Sequence, residues 1–257
     1  MQDSNWSQRK KMSIYVILFF IIIGLSYFAY FKYQVYKTPI QSCKDNIQNQ
    51  DEKGVDCEGV CVIICKNNIR PIKSLYTKII PSKYGVYDIV SMIENVNVGK
   101  STGQQAYKIK IYNANREQIK VIEGKVYISD AIKFPIILLG QNINSKIDSV
   151  PKFAEIELVD QDYIPIPKHI DKVKVVDYKY NNEEKKLHIK LKNTTLNKSK
   201  MLTVKALIID DTGVVATNES RANAIDPESE AEVNMTSYQS IENLNNYRVE
   251  IYVLEDN

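Results

Sequence analysis

All four cysteines of the chain lie in one short stretch, CKDNIQNQDEKGVDCEGVCVIIC, as Cys43, Cys57, Cys61 and Cys65. Asp45, Asn49, Asp51, Glu52, Asp56 and Glu58 are interleaved with them. Such a set suits three chemistries: a structural zinc site, a calcium loop or a pair of disulfides. Structural zinc sites pair their cysteines as C-x2–4-C twice and need reduced thiolates, whereas the spacing here is C-x13-C-x3-C-x3-C. An EF-hand fails as well. Read from Asn49, Lys53 takes the fifth position and Val60 the twelfth; read from Asp45, Ile47 takes the third, and all three need oxygen ligands. Two disulfides remain the favoured reading, with three pairings open. Asp45, Asn49, Glu52 and Asp56 still recur at spacings of 4, 3 and 4, and a cross-linked loop could converge them on calcium. The competing reading, turn caps and solvated charges, is favoured over that cation site. No other cofactor is expected.

The rest of the chain offers little for catalysis. The two histidines are His169, in a proline-containing link, and His188, among lysines on the polar side of a strand. No G-x-S-x-G, H-E-x-x-H, P-loop or dinucleotide fingerprint occurs, so an enzyme is not expected. The 34 basic and 31 acidic residues are mixed along the chain, leaving no basic stripe for nucleic acid. Asn-x-Ser/Thr triplets at Asn193, Asn197, Asn218 and Asn234 read as incidental in an Asn-rich chain. Tyr76, Tyr84, Tyr87, Tyr107, Tyr112 and Tyr127 read as filling a β core more than as an adhesive surface.

Which compartment the cysteines occupy is set by the first residues. Met12–Phe31 carries no charge, and at ~1.5 Å per residue it spans roughly 30 Å, the thickness of a bilayer's hydrocarbon. A cleaved signal peptide needs small residues at −3 and −1 of the cut, and Tyr27 before Ala29 breaks that pattern. Arg9, Lys10 and Lys11 crowd one flank while Lys32 and Lys37 are spaced along the other, so the positive-inside rule places residues 1–11 in the cytoplasm. The expected order is a cytoplasmic tail (1–11), a transmembrane helix in lipid (12–31), a juxtamembrane linker (32–42) and an extracytoplasmic disulfide segment (43–65).

Beyond residue 70 the chain reads as short alternating strands, and it repeats with a shift of 98. SMIEN (91–95) falls on IKLKN (189–193), placing Asn95 over Asn193, and YKIKIYNANREQI (107–119) falls on KALIIDDTGVV (205–215). Alternation points Leu187, Ile189 and Leu191 inward, with Ile89, Ser91 and Ile93 as their counterparts. Ile111 and Ile209 are matched as further core residues. Each copy is the size of an immunoglobulin-like sandwich, giving domains 66–165 and 166–257. The segment 160–172, with Pro165 and Pro167, reads as a semi-rigid spacer. The fold class is therefore an all-β ectodomain of two tandem immunoglobulin-like β-sandwiches, preceded by one transmembrane helix and a small disulfide-rich segment.

IKIYN (109–113) and LIIDD (207–211) are similar to the Phe-x-Leu-Tyr-Asp signature of prokaryotic immunoglobulin-like domains. The whole chain resembles candidate-phyla-type bacterial envelope proteins with an anchor, a C-x-D-G-x-x-N-x-x-E-x-x-V-D-C-G-G-x-C-x-x-C segment and two such domains. The match covers Cys43, Asp45, Asn49, Glu52, Val55, Asp56, Cys57, Gly59, Cys61 and Cys65. It departs at Asn46 and Glu58, where the pattern has glycine, and adds one residue before the last cysteine. The resemblance implies architecture and carries no activity. The expected role is to present a non-catalytic two-domain module to an extracytoplasmic protein or envelope component. Two rivals are an accessory subunit of a membrane machine, for which only Gly24 and Ser26 offer a small-residue packing face, and a sensor, for which the short cytoplasmic tail leaves no output domain.

Overall fold

The computed structural model describes residues 3–37, 43–49, 51–83, 85–128, 132–143, 150–160, 162–166, 172–236 and 246–255. Helix α1 runs Asp3–Lys37 and contains one span, Lys11–Gln34, long and apolar enough to cross a membrane. The helix is longer than the uncharged run 12–31 because nothing in 32–37 breaks it. Pro39, which disfavours α geometry in the residue before it, comes just beyond. Residues 38–42 of the expected linker lie outside the described residues, as do His169, Tyr84 and Pro167.

The remainder is mostly antiparallel β-sheet. The first copy contains β1 (Lys73–Lys83), β2 (Val86–Glu94), β3 (Lys100–Ser101), β4 (Gly103–Tyr112), β5 (Gln118–Ile128), β6 (Lys133–Asn142), β7 (Phe153–Leu158) and β8 (Ile164–Pro165). The second contains β9 (Val173–Asn181), β10 (Lys186–Asn193), β11 (Leu202–Asp210), β12 (Gly213–Ala222), β13 (Glu230–Thr236) and β14 (Arg248–Glu255). The strand orders are β1-β2-β6 and β5-β4-β7 in the first copy, β9-β10-β13 and β12-β11-β14 in the second. Taking strands in chain order and leaving out the short β3–β8 pair, the two copies have the same topology.

Side-chain alternation explains why each pair of sheets shares a core. One buried cluster joins Ile89 and Ile93 of β2 to Tyr107, Ile109 and Ile111 of β4, with Phe134 and Ile136 of β6. Its counterpart joins Leu187, Ile189 and Leu191 of β10 to Leu202, Val204 and Ala206 of β11. Each Val, Leu, Ile or Phe side chain so removed from water contributes roughly 1.5–3 kcal/mol. Ser91, also fully buried, is satisfied by Thr77 at 2.9 Å. Asn95 and Asn193, superposed by the repeat, are both buried and serve the same purpose: each side-chain oxygen accepts the backbone N–H two residues on, at 3.1 and 3.0 Å.

One expected core residue is placed differently. Ile209 is half-buried and faces away from its own copy's core, because inward residues are odd-numbered in β4 and even-numbered in β11. The repeat offset at this strand is therefore 97, and a one-residue slip moves every side chain to the opposite face. Ile209 instead joins a third cluster, made by Ile80, Val90, Met92 and Ile137 of the first copy and by Leu207 and Val214 of the second.

Candidate functional site

The four cysteines pair as Cys43–Cys61 and Cys57–Cys65, first with third and second with fourth, and no described cysteine is free. Close spacing made the three pairings indistinguishable in sequence; the backbone resolves them. The chain between the bridges is a series of turns with little hydrophobic packing, so its shape is set by left-handed residues and side-chain caps. Asn46, Asp56, Glu58 and Gly59 all have positive φ, at 59°, 55°, 54° and 63°. A side chain at Gly59 would run into the Asp51 carbonyl, and one at Gly54 would meet Cys57 Sγ at 2.9 Å and Cys65 Sγ at 3.0 Å.

The four calcium candidates are neighbours, and each takes part in the loop's own hydrogen bonding. Asp56 accepts the backbone N–H groups of Asp45 and Asn46, both at 3.0 Å. Asp45 accepts Ile47 N–H at 2.9 Å and Asn49 Nδ2 at 3.2 Å. Glu52, 7% exposed, accepts Asn49 N–H at 3.2 Å through Oε2. Its Oε1 lies 3.0 Å from Cys61 Sγ; a disulfide sulfur has no proton to donate, so this is a contact and not a hydrogen bond. Among the described residues, the group of His, Cys, Asp or Glu ligand atoms close enough to share an ion is Cys43, Glu52 and Cys61. Its two sulfurs are bonded to each other and hold no thiolate for a metal.

The knot is seated on the first copy. Ile64 N–H donates to Tyr163 O at 2.8 Å, Lys66 pairs with Asp160 at 2.6 Å, and Lys100 Nζ donates to Asn68 O at 2.7 Å. Arg70 and Asn97 exchange two hydrogen bonds, at 2.9 and 2.7 Å. Tyr163 and Ile166 belong to the expected spacer 160–172 and are fastened to the knot and the first copy, while Lys172 at its other end is held by Thr194 and Glu255 of the second. Asn68 and Lys53 hold the Glu58 carboxyl below the usual carboxylate range. A cleft of about 320 Å³ beside this junction is lined by Ile69, Pro71, Leu158 and Tyr163, with the Lys66–Asp160 pair and Gln105 as its polar groups. Gln105 Nε2 donates to the Ala106 and Val159 carbonyls, so the polar groups are already engaged.

His188 lies on the outer side of β10 with Nδ1 2.8 Å from Glu232, in a row continued by Lys190–Glu230 at 3.4 Å. Of the tyrosines, Tyr107 is buried and the burial raises its pKa; Tyr76 and Tyr127 are exposed, Tyr87 and Tyr112 partly so. Asn193 of the first Asn-x-Thr triplet is fully buried. The residue that sequence reasoning missed is Lys205, 7% exposed, with Nζ 3.3 Å from Glu219 and 3.0 Å from Pro135 O. Scanning family profiles and searching curated proteins returned no match to this chain.

Proposed function

We propose that this chain is a non-catalytic single-pass envelope protein, N-terminus in the cytoplasm, carrying a disulfide knot and two immunoglobulin-like sandwiches outside. The observation that carries the reading is the order of parts among the described residues: an apolar helix exposed along its span, then two disulfides, then a region made mostly of β-strands. The helix and β-rich region are compatible with a single-pass membrane protein. Disulfides form and persist in oxidising compartments, which supports an extracytoplasmic ectodomain. Arg9, Lys10 and Lys11 before the uncharged run 12–31 support the same orientation.

Shared cores between paired three-stranded sheets, repeated with one topology, support the sandwich reading. The resemblance to candidate-phyla envelope proteins is supported by a backbone detail. Asn46 and Glu58, which stand where that pattern has glycine, both adopt the left-handed conformation that glycine favours. The role follows as presentation of a rigid module to an extracytoplasmic protein or envelope component.

Protease added to intact cells tests the topology. Loss of a C-terminal epitope, with the N-terminal tail retained, is expected; a protected C-terminus overturns the orientation and with it the extracytoplasmic role.

A further inference from the structure

We propose that the two copies are locked into one rigid body by a sheet-on-sheet interface between non-equivalent faces, and that this interface, not the proline-containing spacer, fixes their mutual orientation. Sheet β1-β2-β6 of the first copy meets sheet β12-β11-β14 of the second, so the surfaces in contact are not related by the repeat. A repeat that packs this way must differ in sequence between its copies at the contact.

The difference is visible residue by residue. Val90 and Met92 on β2, fully buried between copies, correspond through the 98-residue shift to His188 and Lys190 on β10, which lie in the outer charged row. Leu207 and Ile209 on β11 correspond through the 97-residue shift to Lys110 and Tyr112 on β4. Those two pair with Glu157 (at 2.6 Å) and Glu155 on their own outer face. Each copy thus carries one apolar outer face, turned toward the other copy, and one outer face with cross-strand ion pairs.

Two lysines act in opposite directions across the contact. Lys78 of the first copy donates to Thr212 O at 2.8 Å, and Lys205 of the second donates to Pro135 O at 3.0 Å. A buried ammonium is tolerated only where its partners are in place. Lys205 has Glu219 from its own copy, and its remaining acceptor is a carbonyl of the other copy. A shifted docking would bury Lys205 without that acceptor, so the lysine selects one alignment. Pro135 lies on β6, which pairs with β2 alone in its sheet.

The test uses the full chain in detergent with its disulfides intact. Spin labels are attached through Lys125→Cys and Lys192→Cys, one exposed position per copy, and the distance between them is measured by pulsed dipolar spectroscopy. Insertion of Gly-Ser-Gly-Ser between Lys168 and His169 is expected to leave one narrow distance peak unmoved. A peak that broadens several-fold on insertion overturns the proposal. The pair Met92→Lys with Leu207→Lys, placing at each site the residue type of its counterpart in the other copy, is expected to broaden the peak while slow amide exchange persists in β4 and β10. An unchanged peak in that variant also overturns it. Should the double variant lose exchange protection by failing to fold, the insertion alone decides.

Discussion

Lys205 Nζ lies 3.0 Å from the carbonyl oxygen of Pro135, so a lysine of the second copy ends on the backbone of the first. Burial lowers its pKa, with Glu219 opposing the shift. The unfolded chain, whose lysines titrate near ~10.4, therefore binds more protons than the folded chain between the lowered value and that one. This group destabilises the fold while charged, and the penalty is relieved as pH rises through its folded pKa. Lys205→Met should raise stability relative to the parent most near neutral pH, with the difference shrinking as pH approaches 10. Urea unfolding of both proteins across pH 7–10 checks this, and a difference that grows with pH would refute it.

Leu191 is fully buried in the second copy's own cluster, and Leu207 is fully buried between copies. Truncation of either to Ala should destabilise by about 2–5 kcal/mol, as large-to-small core changes do. The distinction lies in cooperativity. Leu191→Ala should shift one unfolding transition, while Leu207→Ala should begin to separate the transitions of the two copies. Amide exchange in β2 and β10, followed separately, reads this out.

Asn46 sits at φ 59° and Gly59 at φ 63°. Asn46→Gly should stabilise the knot by up to about 1 kcal/mol, since a left-handed residue strains any side chain. Gly59→Ala should do the reverse and more, because its new methyl group meets the Asp51 carbonyl. Resistance of the bridges to a titrated dithiol, measured for both variants, should rise for the first and fall for the second. Equal behaviour would mean the turns do not hold the knot.

Tyr107 lies directly across from Gly124 in the β4–β5 ladder, and its ring covers the space a side chain at 124 would fill. Gly124→Ala should destabilise by roughly 1–3 kcal/mol as local overpacking. Adding Tyr107→Phe, which removes the hydroxyl in the way, should recover part of the loss. Thermal melts of the single and double variants form a cycle; strict additivity would show that the two residues do not touch in solution.

Much of this architecture was legible in the residues. The uncharged run 12–31 located the helix, and KKLHIKLKN announced a strand with one wet face. The Asn95–Asn193 match aligned β2 with β10, two strands that hold the same place in sheets of the same strand order. What escaped was also written there. DIVSMIE (88–94) and VKALIID (204–210) do not alternate: they are nearly continuous apolar runs, the pattern of strands covered on both sides. The contrast with KKLHIKLKN pointed to a contact between copies. The off-by-one offset at β11 hid because Ile208 and Ile209 are the same residue type, so the alignment fitted either face. Cysteine pairing was beyond reach, since spacings of three residues permit several closures.

The interlaced order of the bridges has a consequence for how the chain behaves once cut. Cys43 is joined to Cys61, and Cys57 to Cys65, so every peptide bond between Cys43 and Cys61 lies within the loop closed by the first bridge. A single proteolytic nick there, for example beside exposed Lys44 or Lys53, breaks the backbone without separating the pieces. The helix-bearing fragment stays covalently attached to the β-rich one until a reductant arrives. Separation by a cut in that interval therefore takes two chemically different events, hydrolysis and thiol exchange, and without a reductant the first alone leaves a clipped but undetached protein.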